Sequence, residues 1–406
     1  MIRKKLSSMS FILAVLFCMV LGGTGPAAGA EPYVIGYVAD ITGMARANYA
    51  PETEGCRLYI ETVNARGGVN GHPIKLVVED GKSQPAASGA VAKKLIVEDK
   101  ALALLGLGFS SAQPPVIELA TKDKVPVIAG FTLVRDVHKV QPGEVCFNTG
   151  RIMNPDFLPA AYAYAFVAKK LHPNGTYAAS GYDTPGGRAW SKLGCVYAEQ
   201  MGLKVVYHED IPPGTMDLMP WASKVAKANP DIYANDEGGE IFIPMAKALE
   251  KSGWTKDLLY PDFVSEGDLV KGISGLMTKG EWVLWLAPYA SAYEKLPEYE
   301  KIREAMKKFG HQYPLSAHHA QGWTIGRIVE QALKIAGWPC DREKLLSALE
   351  KINLDTNGLT GGPIKYSPTD HSGPTFWKLY RWNDGKKALV PVGDWFEVTA
   401  KMMGKE

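Results

Sequence analysis

The hydrophobic positions of the chain form short continuous runs that alternate with longer segments of helical spacing. Apolar runs of about four to eight residues are typical of buried strands, and apolar positions three or four apart indicate helices with one buried face. Repeated strand–helix units of this length predict an α/β fold with a parallel sheet and helices on both of its faces. The first predicted strands are Tyr33–Val38, Ile74–Val78, Ala101–Leu105 and Val125–Ala129.

The same alternation starts again after Val145–Asn148, so the pattern predicts a second α/β lobe. Helical spacing then dominates Tyr299–Leu349, whose helices we expect to complete the first lobe, and a β-rich tail runs from Gly358 to Glu397. A chain that returns to its first lobe implies several crossings between the lobes, and the cleft at such a hinge can close on a ligand. The predicted strands of the second lobe are Thr176–Ala179, Val205–Tyr207, Asp231–Ala234, Leu258–Tyr260 and Trp282–Leu286.

The segment between the third and fourth predicted strands carries the clearest candidate chemistry. Gly106 and Gly108 lead into Ser110 and Ser111, which precede a helical pattern, and Thr132 follows the next strand. Free backbone N–H groups at a helix N-terminus favour an anion, and these hydroxyls would complete a cradle for a carboxylate. The alternative is a tight strand–helix turn that needs only glycine and an N-cap serine.

The first residues of the 406-residue chain have the pattern of a targeting segment. Arg3–Lys5 is basic, Phe11–Leu21 is an apolar run too short to span a bilayer comfortably, and Ala28–Ala30 is a small-residue cleavage site. We expect residues 1–30 to be a signal peptide, cleaved after Ala30 on export. Loss of the three basic residues takes the formal net charge from +2 to −1. A near-neutral chain without a basic stripe gives nucleic-acid binding little support.

The sequence contains no recognised motif for catalysis or metal binding. Zinc-hydrolase, nucleophile-elbow and phosphate-loop patterns are absent, and the adjacent pair His318-His319 does not favour a metal site, so we expect no metal and no cofactor. Asp236 and Glu237 are possible acid–base carboxylates, which keeps an exported hydrolase as an alternative. Four scattered cysteines leave both buried thiols and disulfides open, namely Cys56, Cys146, Cys195 and Cys340.

The order and spacing of several short motifs resemble one protein family. The N-terminal part combines Ile35–Gly43, Asn64–Gly71 and Ile74–Asp80, and the second lobe has Pro213–Asp217 followed by Ala228–Asp231. This order is similar, over essentially the whole mature chain, to the type I periplasmic solute-binding proteins of ABC transporters. The resemblance is to the branch that binds leucine, isoleucine and valine.

The resemblance implies two flavodoxin-like, doubly wound parallel-sheet lobes joined by a three-strand hinge. The expected lobes are residues 31–149 with 286–358, and residues 150–285 with 359–406. The crossings are expected near Asn148–Arg151, Trp282–Leu286 and Leu359–Pro363. The implied protein is not an enzyme but a periplasmic monomer. It closes on a small carboxylate ligand and delivers that ligand to an inner-membrane ABC permease. A sensory ligand-binding module is a further alternative.

The resemblance also implies where the ligand is bound. Ser110 or Ser111 would hold the carboxylate, with Phe131 or Thr132 as a second contact and Asn48 or Tyr49 as a lid. The second lobe would contribute the turn at Tyr182-Asp183 and the strand end at Asp236. The expected ligand-binding residues are Tyr49, Phe109, Ser110, Ser111, Phe131, Thr132, Tyr182, Asp183, Asp236, Glu237 and Phe263.

One departure from the family pattern concerns the ammonium group of an amino acid. The family's amino-acid binders place an acidic residue after the strand that matches Leu258–Tyr260, where Phe263 stands here beside Asp262 and Glu266. A buried ammonium without a partner is costly. The ligand is therefore an apolar amino acid if Asp236, Glu237 or Glu266 supplies the charge. If none does, it is an aromatic or other carboxylate or amide.

Overall fold

The computed structural model describes residues 29–132, 140, 143–152, 158–236, 239–261 and 266–404. Residues 1–28, which hold nearly all of the expected signal peptide, lie outside this description. Within these ranges, none of the helices has both the length and the apolar character needed to cross a bilayer.

The first sheet has five strands that are all parallel, as the alternation of strands and helices predicts. Its strand order is β2–β1–β3–β4–β5. The third strand is shorter than its apolar run and begins three residues later than predicted. The strands are β1 (Tyr33–Ala39), β2 (Ile74–Asp80), β3 (Leu104–Gly106), β4 (Val127–Thr132) and β5 (Cys146–Ile152).

The second sheet repeats this plan and adds antiparallel strands at one edge. Its main strands are β6 (Thr176–Gly181), β7 (Lys204–His208), β8 (Ile232–Asp236), β9 (Asp257–Pro261) and β10 (Val283–Ala287). Beyond a small pair formed by β11 (Asn353–Leu354) and β12 (Ile364–Lys365), the tail forms β13 (Phe376–Asn383), β14 (Ala388–Pro391) and β15 (Phe396–Glu397). The order is β14–β13–β10–β9–β8–β6–β7, with β15 paired to β13.

The helices pack on the two sheets in two groups, which we call the first lobe and the second lobe together with their sheets. The first lobe has α1 (Arg46–Ala65), α2 (Pro85–Val97), α3 (Gln113–Lys122), α9 (Pro297–Phe309), α10 (Ala317–Ala336) and α11 (Arg342–Leu349). The second lobe has α4 (Pro159–Leu171), α5 (Pro185–Gln200), α6 (Met219–Ala228), α7 (Gly239–Lys251) and α8 (Glu266–Ile273).

Helix α1 begins at Arg46, whereas the sequence pattern predicts a start near Glu52. Pro51 lies inside the helix. A proline this close to a helix N-terminus removes one intrahelical hydrogen bond without preventing the turn before it. Asn48 and Tyr49 are therefore helical and buried, rather than part of a loop.

The chain passes between the lobes three times. Strand β5 pairs with β4 in the first sheet, and the next helix, α4, belongs to the second lobe. Strand β10 pairs with β9 and β13, so the chain leaves the second sheet only after Ala287. The third passage follows α11 and leads to β13. The expected lobe boundaries at residues 149, 286 and 358 stay predictions.

Hydrogen bonds between the three crossings fix the backbone at Asn148 and Thr149. The Tyr289 hydroxyl donates to the Thr149 carbonyl at 2.6 Å, and the Tyr366 hydroxyl donates to the Asn148 carbonyl at 2.8 Å. The Asn148 amide donates to the carbonyl of His371 at 2.9 Å. Because one crossing holds the next through buried polar groups, the three crossings form a single packed unit.

Gly373 allows the third crossing to approach the first. Its φ is +75°, in the left-handed region, and a Cβ atom there would lie 2.0 Å from the Asn148 carbonyl oxygen. Any other residue would force the two crossings apart.

His371 is a buried titratable group inside this packed unit. Its ring stacks on Phe147 with 3.8 Å between centroids, and its Nδ1 atom lies 3.1 Å from the Cys146 carbonyl oxygen. Burial lowers the pKa of His371 to about 4, although the hydrogen bond with Cys146 opposes this shift. The crossings therefore contain a neutral imidazole.

We expect acid to destabilise the folded chain through His371. Its folded pKa lies below the ordinary value of 6.5, so the unfolded chain binds the proton first as the pH falls. The stabilisation is present at neutral pH and is lost between about pH 6.5 and about pH 4, by up to about 3 kcal/mol. Urea unfolding across this range should show a smaller acid loss in His371→Gln than in the wild type. The exposed His311→Gln is the control, and equal slopes in all three proteins would contradict the expectation.

Candidate functional site

The strand order of each sheet identifies one edge as the place for a ligand. In the first sheet, β2–β1–β3–β4–β5, the direction in which successive strands are added reverses between β1 and β3. In the parallel part of the second sheet, β7–β6–β8–β9–β10, it reverses between β6 and β8. Ligands of open parallel sheets bind at the carboxyl ends of the strands at such switch points. The two candidate regions are therefore the residues after β1 and β3 and those after β6 and β8.

Asp40 organises the first switch point. Its carboxylate accepts hydrogen bonds from the Phe109 amide at 3.0 Å, from the Ser83 hydroxyl at 2.8 Å and from the Ser83 amide. The residue is 1% exposed, and burial raises the pKa of its carboxyl despite these donors. One buried acid thus joins the loops after β1, β2 and β3. Sequence reasoning missed this role of Asp40.

A second acid at the end of β2 fixes the neighbouring loop. Asp80 accepts hydrogen bonds from the amides of Ile41 at 3.0 Å and Lys82 at 3.1 Å and from the Thr42 hydroxyl. Burial opposes ionisation, but these donors outweigh it and lower the pKa of Asp80. Lys82 and Ser83 have φ values of 56° and 54°, so the two acids hold a backbone conformation that is uncommon outside glycine.

The turn after β3 presents two serine residues at the switch point. Ser110–Ala112 forms one 3₁₀ turn that leads directly into α3, and the Ala112 amide donates back to Phe109 at 2.8 Å. Pro114 and Pro115 in the first turn of α3 carry no N–H. Among the described residues, the amides of Ser110 and Ser111 are thus the donors that this terminus leaves for an anion. Ser110 is buried and Ser111 is exposed.

The other expected contacts of the first lobe lie around this turn. Phe131 and Thr132 end β4, where they pair in register with Arg151 and Ile152 of β5. Their side chains lie outside the described part of the structure. Tyr49 is buried in the first turn of α1, where its carbonyl accepts a hydrogen bond from the Thr53 hydroxyl at 2.7 Å.

The second switch point is a tight strand–helix turn at the end of β6. Gly181 pairs in register with Asp236, the last residue of β8. The N-cap residue Thr184 accepts a hydrogen bond from the Gly187 amide at 3.2 Å. A Cβ atom at Gly187 would lie 2.2 Å from the Tyr182 carbonyl oxygen, so only glycine permits this approach.

The candidate residues of the second lobe differ in their surroundings. Tyr182 is buried in the turn, and Asp236 is 2% exposed, so the structure places a phenol and a carboxyl at the same switch point. Asp183 is half exposed and forms an ion pair with Arg188. Glu237 and Phe263 lie outside the described residues, and their predicted contacts stay predictions.

Glu266 is already engaged by the protein backbone. Its carboxylate accepts hydrogen bonds from the Ala292 amide at 2.8 Å and from the Ala317 amide at 3.1 and 3.2 Å to its two oxygens. It is 2% exposed, and burial raises the pKa of its carboxyl. A ligand ammonium would have to compete with these donors, which makes Glu266 a poor partner for it.

One cluster has the connectivity of an acid–histidine–serine triad. The Nε2 atom of His319 lies 3.1 Å from Glu54, and its Nδ1 atom lies 3.1 Å from the Ser316 hydroxyl. All three residues are buried, and the Ser316 amide donates to the same Nδ1 atom at 3.2 Å. The serine is the N-cap of α10 and has no access to a substrate, so the cluster is a helix cap.

The described residues hold neither a disulfide nor a group of three or more potential metal ligands. Cys56, Cys146, Cys195 and Cys340 are free thiols, and the first three are buried. Burial raises the pKa of each, that of Cys195 to about 12 and that of Cys340 to about 11.

Comparison with known proteins identifies similar chains. A family model described as periplasmic binding protein matches residues 32–387. The Leu/Ile/Val-binding protein homolog 3 of Brucella melitensis is 22% identical over 94% of this chain and 98% of its own length. The leucine-, isoleucine-, valine-, threonine-, and alanine-binding protein of Pseudomonas aeruginosa is 24% identical over 80% of this chain and 81% of its own.

Solved structures share the fold at low sequence identity. A branched-chain amino acid ABC transporter protein of Thermus thermophilus with bound valine has a TM-score of 0.80 at 17% identity, covering 92% of this chain and 99% of that one. A solute-binding protein of R. palustris in complex with benzoate has a TM-score of 0.75 at 17% identity, with coverages of 90% and 96%. A fatty acid ABC transporter substrate-binding protein of Thermomonospora curvata has a TM-score of 0.74 at 22% identity, with coverages of 92% and 94%.

We expect Asp40→Asn to destabilise the chain by about 1–3 kcal/mol, because the amide cannot accept from all of the donors that converge on the carboxylate. Asp183→Asn is the matched control: it removes a half-exposed ion pair and should cost under about 1 kcal/mol. Urea unfolding at neutral pH measures both. Equal stability of Asp40→Asn and the wild type would show that Asp40 does not hold the three loops together.

Proposed function

The chain belongs to the periplasmic binding protein family, and on this premise we propose that it is the substrate-binding component of an ABC importer. It binds a small ligand in the cleft between its two lobes and closes around it by bending at the three crossings. The closed protein is then recognised by an inner-membrane permease. In this role it is exported to the periplasm, acts as a monomer and catalyses no reaction.

The observation that carries this proposal is the presence of one switch point in each lobe. In both sheets, loops of the kind that bind ligands follow the carboxyl ends of parallel strands. The lobes are joined by three crossings packed into one unit, an arrangement that suits hinge closure around a ligand. The buried position of the triad-like cluster at α10 argues against the alternative of an exported hydrolase.

The first lobe supplies donors for a carboxylate. The amides and hydroxyls of Ser110 and Ser111 stand at the start of α3, where the helix dipole also favours a negative charge. Phe131 and Thr132 end the adjacent strand, β4, and complete this half of the site. Asp40 holds the turn of these serines by its bond to the Phe109 amide.

The second lobe decides between the ligand classes. Tyr182 and Asp236 would meet the far end of the ligand, with Glu237 and Phe263 beside them. Asp236 is buried at the end of β8, beside the second switch point, and we propose it as the acid that pairs with an ammonium group. Similar structures hold valine and benzoate, and another is a fatty acid ABC transporter substrate-binding protein, which supports both amino acids and plain acids as ligand classes. We propose a carboxylate with an apolar body as the ligand.

Calorimetric titration tests this proposal with valine, leucine and isoleucine beside benzoate, 4-hydroxybenzoate and octanoate. We expect at least one of these acids to bind, and we expect Ser111→Ala and Ser110→Ala to weaken that binding by about 1–3 kcal/mol, since each hydroxyl meets a charge. Ser347→Ala, at an exposed position of α11, is the matched control and should bind as the wild type does. Failure of every acid to produce heat or a thermal shift would refute the proposal.

Asp236→Asn separates the two ligand classes. If the ligand is an amino acid, loss of the charge leaves its ammonium unpaired, and we expect affinity to fall by about 3–5 kcal/mol. If the ligand is a benzoate or fatty acid, removal of a buried negative charge near the ligand should leave affinity equal or higher. Titration of the same acids with both proteins distinguishes these results, and a large loss for a plain acid would contradict this assignment of Asp236.

A further inference from the structure

Glu266 connects the second lobe to both the hinge and the first lobe. It is the first residue of α8, which follows β9 in the second lobe. Its carboxylate accepts the Ala292 amide, which lies in the second crossing, and the Ala317 amide, which opens α10 of the first lobe. One buried side chain therefore bridges three parts of the molecule that hinge bending would move relative to one another.

The hydrogen bonds between the Glu266 carboxylate and the first amide of α10 belong to a strong class. Ser316 is the N-cap of α10, so Ala317 is the first residue of a helix of 20 residues. A carboxylate at this end is stabilised by the helix dipole and by a charge-assisted hydrogen bond. Both oxygens of Glu266 lie within 3.2 Å of the Ala317 amide nitrogen.

Helix α10 transmits the position of its first turn to the proposed carboxylate site. The Gln321 side chain, one turn into the helix, donates to the Gly130 carbonyl at 2.7 Å, directly before Phe131 and Thr132. A Cβ atom at Gly130 would lie 2.6 Å from the Gln321 amide nitrogen, so the strand is packed tightly against this side chain. On the other side, His319 and Glu54 tie the same turn to α1.

We propose that Glu266 is a positioning residue that sets the angle between the lobes. We call the contact of Glu266 with Ala292 and Ala317 the interlobe latch. It fixes the position of α10 relative to the second lobe. It therefore also fixes the direction from which the end of β4 meets the ligand. The inference rests on the proposed function only where it concerns affinity, because the geometry of the latch exists without a ligand.

A distance measurement between the lobes tests the latch in the ligand-free protein. Spin labels at Lys122→Cys in α3 and Lys192→Cys in α5, both exposed positions, report the separation of the lobes. Cys340→Ser removes the partly exposed native thiol, and the other three native thiols of the described chain are buried. Double electron–electron resonance then compares the wild type with Glu266→Gln.

Glu250→Gln is the matched control. Glu250 also accepts backbone amides, from Met277 at 2.9 Å and Thr278 at 2.7 Å, but all of these residues belong to the second lobe. The two substitutions therefore remove the same kind of bond, and only one of the bonds links the lobes.

We expect Glu266→Gln to broaden or shift the interlobe distance distribution, whereas Glu250→Gln leaves it as in the wild type. For an acid that binds the wild type, affinity should fall by about 5–150-fold in Glu266→Gln.

If Glu266→Gln does not fold, Glu266→Asp carries the test, because its shorter side chain keeps the charge and should shift the distance. A distribution identical to that of the wild type would overturn the proposal. Absence of binding by any acid would refute the proposed function and leave the distance result valid.

Discussion

The backbone at Asn148 and Thr149 is the constraint on which the two-lobed arrangement depends. These two residues lie in β5, just before the chain leaves the first sheet, and are fully buried. An unpaired buried carbonyl costs roughly 1–3 kcal/mol. The second crossing supplies Tyr289 and the third supplies Tyr366 as donors. None of the three segments can move independently without breaking such a bond. A motion that keeps these bonds would have to bend the three segments together, as closure of a cleft between two lobes requires.

Much of the fold was predictable, because the signals for parallel sheets are local. Buried strands appear as apolar runs, and the helices between them appear as amphipathic spacing, so both sheets could be anticipated from residues that lie close together in sequence. Boundaries were less predictable. The sequence pattern predicts that α1 starts near Glu52, and only the packing of the preceding turn in the folded chain shows that the helix extends to Arg46. The run Trp282–Leu286 was predicted both as a strand of the second lobe and as the place of a crossing. Its pairing with β9 and β13, which is non-local information, places the crossing after the strand.

The candidate site was also predictable only in part. Ser110, Ser111 and the turn at Tyr182 follow strands in sequence, so turn chemistry and family resemblance both lead to them. The roles of Asp40 and Glu266 could not be predicted, because their partners are backbone amides contributed by distant segments. Such an amide belongs to every residue except proline and leaves no trace in the composition. The sequence suggested Glu266 as a partner for a ligand ammonium. In the structure its carboxylate instead accepts hydrogen bonds from the second crossing and from α10.

The free thiols have a consequence for the life of the protein after export. Thiol oxidation proceeds through the thiolate, and burial raises the pKa of Cys195 to about 12, so this thiol is ionised very little at neutral pH. Cys56 and Cys146 are buried completely, and burial raises the pKa of both thiols. Once folded, these three side chains are therefore poor substrates for the oxidants of an oxidising compartment. Burial in the folded chain, rather than disulfide formation, is therefore what keeps these three thiols from incorrect cross-linking.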